Sequence, residues 1–157
     1  MDGLRQLLNV FWKWSGISFE DYINDIPPTC SEVTHSDWEM EFPEINELVY
    51  LAKEEILNLK DTSDNKVFST ICEAISIDIE FEEIKDFAFE NLSDQILHKF
   101  CFKGLNFPHH YCRYQIVAGL RDYKPPFAKN LLMQVLSNSA ERNEVLSPAL
   151  YALNHLK

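Results

Sequence analysis

PPFAKNLLMQVLSNSAERNEVLSPALYALNHLK, residues 125–157, decides how the rest of the chain is read. Pro125 and Pro126 open an apolar run with helical spacing, SAERNE supplies a polar turn, and Asn143 is placed to cap a second apolar run. Upstream, CRYQIVAGLRDY (112–123) carries a related pattern. Ile116, Val117, Ala118, Gly119, Leu120 and Tyr123 align with Ala149, Leu150, Tyr151, Ala152, Leu153 and Leu156 at one constant offset, apolar or small against apolar or small. The chain repeats a helix, a turn and a helix.

Composition agrees with this reading. The 157 residues suffice for one domain with a continuous core, and a hydrophobic content of 46% excludes a disordered chain. Only 4 glycines are present, too few for turn-dense β architecture, so the expected class is all-α. The first residues lack the cleavage pattern of a secretory signal, and no run reaches the roughly 20 apolar residues of a membrane span. Cys30, Cys72, Cys101 and Cys112 show no CxxC spacing and sit in mostly apolar runs, as reduced thiols do. The expectation is a cytoplasmic protein without membrane attachment.

The net charge of −11 is unevenly placed. Residues 1–94 hold 22 acidic and 6 basic side chains, whereas residues 95–157 hold 3 acidic and 8 basic. The first segment repels nucleic acid and the second is mildly basic.

Along the chain, Leu4, Leu7, Leu8, Phe11 and Trp12 share one helical face up to a break at Gly16, and FEDYIND suggests a short further turn of helix. IPPTCSEVTHSDWEMEFP, at about 26–43, reads as a long irregular connection packed by Trp38 and Phe42 or used in function. Pro43 then starts a helix with Ile45, Leu48, Ala52, Ile56 and Leu59 on one stripe. Val67, Phe68, Ile71, Cys72 and Ile75 form the next stripe. IDIEFEE (77–83) alternates like a strand, but helical spacing resumes at Phe81, Ile84 and Ala88, so a helix boundary is expected there. Ser93 caps a helix carrying Ile96, Leu97, Phe100 and Cys101, with Gly104 as its stop. The chain is thus read as a single helical domain over 1–157, with an acidic half at 1–92 and helical hairpins at 93–157. In the hairpins Leu120, Leu132, Val135, Leu150 and Leu153 are expected to be buried.

This last third resembles HEAT-type repeats of armadillo-like solenoids. The features that carry the likeness are PPFAKNLLMQVLSN, the turn SAERNE, and VLSPALYALNHL. The resemblance implies antiparallel hairpins stacked as a short solenoid or compact bundle, with Ala118, Gly119, Ala149 and Ala152 where helices approach closely. Two positions depart from the pattern: Pro148 falls inside the final helix, and Leu146 stands where an arginine is common.

Chemistry-bearing clusters are few. His109, His110 and Cys112, with Cys101 upstream, are the one group of metal-ligand types, but adjacent helical histidines diverge and no metal or other cofactor is expected. No GxGxxG, GxxxxGKS, HExxH or GxSxG occurs, and no Cys/His pair comes with an orienting carboxylate, so no catalytic residues are assigned and an enzyme is not expected. Lys99, Lys103, Arg113, Arg121, Lys124 and Lys129 are too few, in an acidic chain, to make a nucleic-acid surface. Most of Phe68, Phe81, Phe87, Phe89, Phe100 and Phe102 should be core. Trp12, Trp14 and Trp38 are less easily placed and are candidate anchors.

The strongest candidate binding site is the loop-to-helix junction, where Asp37, Glu39, Glu41, Glu44 and Glu47 crowd around Trp38. A large apolar anchor beside concentrated negative charge suits a cationic protein partner. In size, charge and fold the chain resembles the small acidic immunity proteins of bacterial polymorphic toxin and contact-dependent inhibition systems. That resemblance implies 1:1 neutralisation of a basic toxin domain, such as a nuclease; a general helical-repeat adaptor in a larger assembly is the alternative.

Overall fold

Apolar side chains at helical spacing, broken by cap-forming residues, produce helices throughout the computed structural model, which describes residues 2–24 and 41–156. Among these residues there are nine helices and no strand. α1 (Asp2–Ser15) buries Leu4, Leu8, Phe11 and Trp12 and stops at Gly16, whose φ of +74° suits glycine. α2 (Phe19–Ile23) is capped by the Ser18 hydroxyl, which accepts from the Asp21 amide at 3.0 Å. α3 (Ile45–Leu57) presents Leu48, Ala52 and Ile56 inward, and α4 (Asn65–Ile75) starts where the Asp64 carboxylate accepts from the Val67 amide at 3.1 Å. α5 (Glu83–Asn91), α6 (Asp94–Leu105), α7 (His110–Tyr123), α8 (Ala128–Ser137) and α9 (Asn143–His155) complete the set.

α4 is the hub. It packs against α1, α3, α5, α6 and α7, and every residue from Thr70 to Asp78 is buried. Polar side chains within this buried run must be satisfied internally. The Glu73 carboxylate accepts from Arg5 Nη1 at 2.6 Å and from Trp12 Nε1 at 2.7 Å, while Arg5 Nη2 donates to Thr70 Oγ1 at 2.8 Å. These bonds fasten α1 to α4. Tyr22 of α2 donates from its hydroxyl to the Ser76 carbonyl at 2.5 Å, fastening the second helix to the end of α4.

At the other end, α9 packs most extensively against α7 and next against α8, and α6 packs on α7. Close approach is possible because Ala118, Gly119, Ala149 and Ala152 are all buried and short. A Cβ added at Gly119 would lie 2.2 Å from Phe89 Cε2. Arg113 holds the connections: Nε and Nη2 donate to Glu141 at 2.8 and 2.9 Å, and Nη1 donates to the carbonyls of Phe107 and Pro108. Burial pushes the Glu141 carboxyl up, but the Arg113 hydrogen bonds, the Arg142 amide and the Arg113 charge outweigh it and hold its pKa below the usual value.

The structure departs from the sequence pattern at several points. Gly104 does not stop α6; it lies buried within the helix, where a Cβ would sit 2.6 Å from Ile116 Cγ1, so it is a glycine of close packing. α3 begins at Ile45, with Pro43 and Glu44 in the turn before it, and α9 is preceded by Arg142 as its N-cap residue with Asn143 already helical. α9 runs on through Pro148, which contributes no amide hydrogen to the ladder. Leu120, Leu132 and Val135 are buried and Leu153 is half-buried, but Leu150 is 52% exposed. Phe81 and Phe102 are also exposed, whereas Phe68, Phe89 and Phe100 are core. Trp12 is core and Trp14 is half-buried against it: Phe42 stands edge-on to Phe11 at 5.2 Å and lies 5.1 Å from Trp14. Cys72, Cys101 and Cys112 are free, buried thiols; Cys30 lies outside the described residues.

Candidate functional site

The segment between α4 and α5 is neither strand nor helix, and its shape creates a cleft in the acidic half. Asp78, at the end of the buried run, turns its carboxylate to accept from the Ile84 amide at 2.7 Å, which satisfies a free donor at the start of α5. Gln115 of α7 donates from Nε2 to the carbonyls of Ile75 and Asp78, both at 2.7 Å, and fixes the turn from below. Glu82 adopts a left-handed backbone with φ of 53°, a conformation that costs a non-glycine residue about 1–2 kcal/mol. Its side chain pairs with buried Lys85, which also binds Asp86 at 3.0 Å. Burial pulls the Lys85 ammonium down, and the hydrogen bonds and charges of Glu82 and Asp86 outweigh it and hold its pKa above the ordinary lysine value.

This bracing turns Phe81 outward, 62% exposed. Across from it runs the approach to α3, anchored by the burial of Phe42 against Phe11 and Trp14. Between the two lies a cleft of about 470 Å³ lined by Glu41, Phe42, Pro43, Ile45, Asn46, Val49, Asp78, Phe81 and Glu83. Its lining is mixed: five apolar side chains and Asn46 share it with three carboxylates, Glu41, Asp78 and Glu83. Lys53 of α3 reaches across one margin, bonding Glu83 at 2.5 Å with its ammonium 5.8 Å from the centre of the Phe87 ring.

Of the residues singled out in the sequence, Glu41 lines this cleft, and Glu44 and Glu47 are exposed at the adjoining start of α3. Asp37, Trp38 and Glu39 lie outside the described residues. Asp78, Phe81 and Glu83 were not singled out as site residues, since only the folded turn brings them opposite Glu41. The alternation in IDIEFEE was a usable signal: an isolated aromatic among acids next to a helix boundary.

The other candidates resolve into structure. His109 is the N-cap residue of α7, buried, its Nδ1 accepting from the Tyr111 amide at 3.3 Å and its ring stacked on Tyr22 at 3.8 Å. Because His109 precedes the helix, its ring does not diverge from that of His110; the centroids are 4.6 Å apart. Among the described residues no group of three or more His, Cys, Asp or Glu side chains is placed to hold a metal ion. Burial pushes the Cys101 and Cys112 thiols well up, which disfavours a reactive thiolate at either. Of the basic residues, Arg113 is bound to Glu141, Arg121 to Asp122 at 2.6 Å, and Lys99 to the Asp61 carbonyl. No described helix is long and apolar enough to cross a membrane. Comparison with family models, with curated proteins and with solved structures finds no match to this chain.

Proposed function

We propose that this chain is a non-catalytic protein-binding protein that captures a basic protein in a 1:1 complex through the cleft between α3 and the α4–α5 turn, and that it serves as an immunity protein neutralising a toxin domain. The observation that carries the reading is the cleft itself: apolar and carboxylate side chains side by side, with an exposed phenylalanine, on a chain of net charge −11. Negative charge steers a cationic partner, and apolar area is then removed from water. On a nuclease, the same acidic surface would cover the groove that otherwise holds phosphate. The arrangement of α6 with α7 and α8 with α9, in which α7 and α9 meet across short residues, supports reading these pairs as HEAT-like hairpins within a cytoplasmic binding scaffold.

The test is association with the basic protein encoded by a neighbouring gene, followed by stopped-flow fluorescence at several salt concentrations. The triple variant Glu41→Lys, Glu44→Lys, Glu47→Lys should slow association roughly tenfold or more at low salt and flatten its salt dependence. An unchanged rate with an intact fold would place the interface elsewhere. One observation favours the alternative adaptor reading: Met133 on α8 and Leu150 and Tyr151 on α9 are more than half exposed and offer a second apolar surface. Binding of several unrelated partners through that face would support the adaptor.

A further inference from the structure

We infer that the cleft receives one arginine side chain of the basic partner, and that Phe81 selects arginine over lysine there. This rests on the protein-binding reading above and names the group that the site recognises. At about 470 Å³ the cleft lies toward the lower end of the roughly 300–1,000 Å³ range of ligand sites, room for one or two long side chains. Of its ionisable lining, Asp78 is buried and bonded to the Ile84 amide and Glu83 is paired with Lys53, so Glu41 is the carboxylate that meets the occupant; with no cation in the lining, a cationic group is favoured over a phosphate.

The aromatic wall separates the two cationic side chains. A guanidinium is planar and weakly hydrated, so it lies against an aromatic ring while bonding a carboxylate through its edge; an ammonium is a strongly hydrated point charge that gains less from such a wall. Val49 and Ile45 supply apolar surface for the methylene stem. The fold already pairs cations with carboxylates and rings nearby, in Lys53 between Glu83 and Phe87. Phe81 is held for this purpose: the left-handed Glu82, the Glu82–Lys85 pair and the Asp78 cap fix the turn that exposes it. A second copy of this chain is a poorer occupant, because it carries the same net charge of −11 and its Arg5, Arg113 and Arg121 are engaged by Glu73, Glu141 and Asp122.

The experiment is a titration of the full chain, followed by amide chemical shifts, with three probes: N-acetylarginine amide, N-acetyllysine amide with a free side-chain ammonium, and N-acetylcitrulline amide, the neutral counterpart of arginine. The arginine probe should move the amides of Val49, Phe81 and Glu83, the lysine probe should bind roughly two- to fivefold more weakly, and the citrulline probe should not bind. Phe81→Leu, at an exposed position, should keep the fold and abolish the arginine preference; Glu41→Gln should weaken both cationic probes together. Equal binding of arginine and lysine, shifts spread evenly over exposed carboxylates such as Asp61 and Glu90, or cleft shifts that follow protein concentration instead of probe would overturn the inference. If the arginine probe misses the cleft while the glutamate reversals still slow partner association, arginine selection falls and protein binding stands. If neither responds, both fall.

Discussion

Replacing Gly119 by alanine tests the packing of the molecule at its tightest point. In an exposed helix the change stabilises by about 0.5–1 kcal/mol, because glycine loses more backbone freedom on folding. Here the added Cβ would meet three carbons of the Phe89 ring at 2.2, 2.5 and 2.7 Å, whereas non-bonded carbons settle at about 3.5–4.0 Å. The ring must retreat by more than about 1 Å, yet it is buried and stacked on Tyr123 at 5.3 Å. Overpacking of this kind costs about 1–3 kcal/mol, and a rigid ring struck by three contacts places the cost toward the upper end. The net expectation is a destabilisation of about 1–2.5 kcal/mol, lowering Tm by roughly 2–10 °C for a chain of this size. Urea titrations of Gly119→Ala, Phe89→Leu and the double variant isolate the cause: once Phe89 is replaced by leucine, the alanine should be neutral or stabilising. If Gly119→Ala raises Tm in the wild-type background, or destabilises equally in both, the contact with Phe89 does not govern the site.

Glu73→Ala should cost about 2–3 kcal/mol, since it leaves the Trp12 indole without its carboxylate while Arg5 is exposed enough to regain water; an unchanged urea midpoint and unshifted tryptophan emission would count against the α1–α4 link. Leu132→Ala should cost about 2–5 kcal/mol and Leu150→Ala under about 0.5 kcal/mol, because one side chain is buried and the other 52% exposed; equal losses in thermal denaturation would contradict this placement. Glu141 has a depressed pKa in the folded chain, so its contribution is present above the ordinary value of 4.5 and fades as pH falls below it. Glu141→Gln should therefore flatten the loss of stability as pH falls below 4.5, and an acid limb identical to wild type would show that the Arg113 pair is not its source.

How much could be read in the sequence depended on whether one helix or several set a residue's role. The stripes of α1 and α3 were legible because each buries a single face, and Gly16 was legible because a positive φ is a local requirement. Gly104 was misread, since a glycine beside a polar residue serves equally as a helix stop or as clearance for a neighbouring helix, and only Ile116 from α7 decides between them. The stripe of α4 describes its first turns, where Asn65, Lys66 and Ser69 are exposed, but from Thr70 onward the helix is buried all round; Glu73 is the polar side chain within that run, and its partners Arg5 and Trp12 lie far away in sequence. The cleft failed to appear for the same reason. Glu41 was a candidate by charge alone, but its opposite wall exists only because Glu82 bends the backbone and turns Phe81 from the core toward solvent.

The unequal charge of the two segments acquires a physical sense once burial and pairing are placed on it. In the basic segment, Arg113 spends both edges of its guanidinium on Glu141 and two carbonyls, Arg121 is bound by the residue beside it, and Lys99 is held by a backbone carbonyl with its ammonium 5.3 Å from the Phe68 ring. These side chains are committed to the fold, but the positive excess of the segment stands, because Glu141 and Asp122 are already counted in it and a carbonyl carries no charge to cancel that of Lys99. In the acidic segment Glu41, Glu44, Glu47 and Glu54 are exposed on or beside α3, while Glu83 is paired with Lys53. Exposed like charges in one region repel one another and lower stability slightly, a cost that binding a cation relieves. Partner capture and stability are therefore linked: neutralising Glu41, Glu44 and Glu47 to glutamine should raise Tm slightly at low salt while slowing association with the basic partner. Both effects should vanish together as salt rises, since they draw on one electrostatic field. A slower association with no rise in Tm at low salt would mean that these carboxylates meet the partner without repelling one another in the free protein.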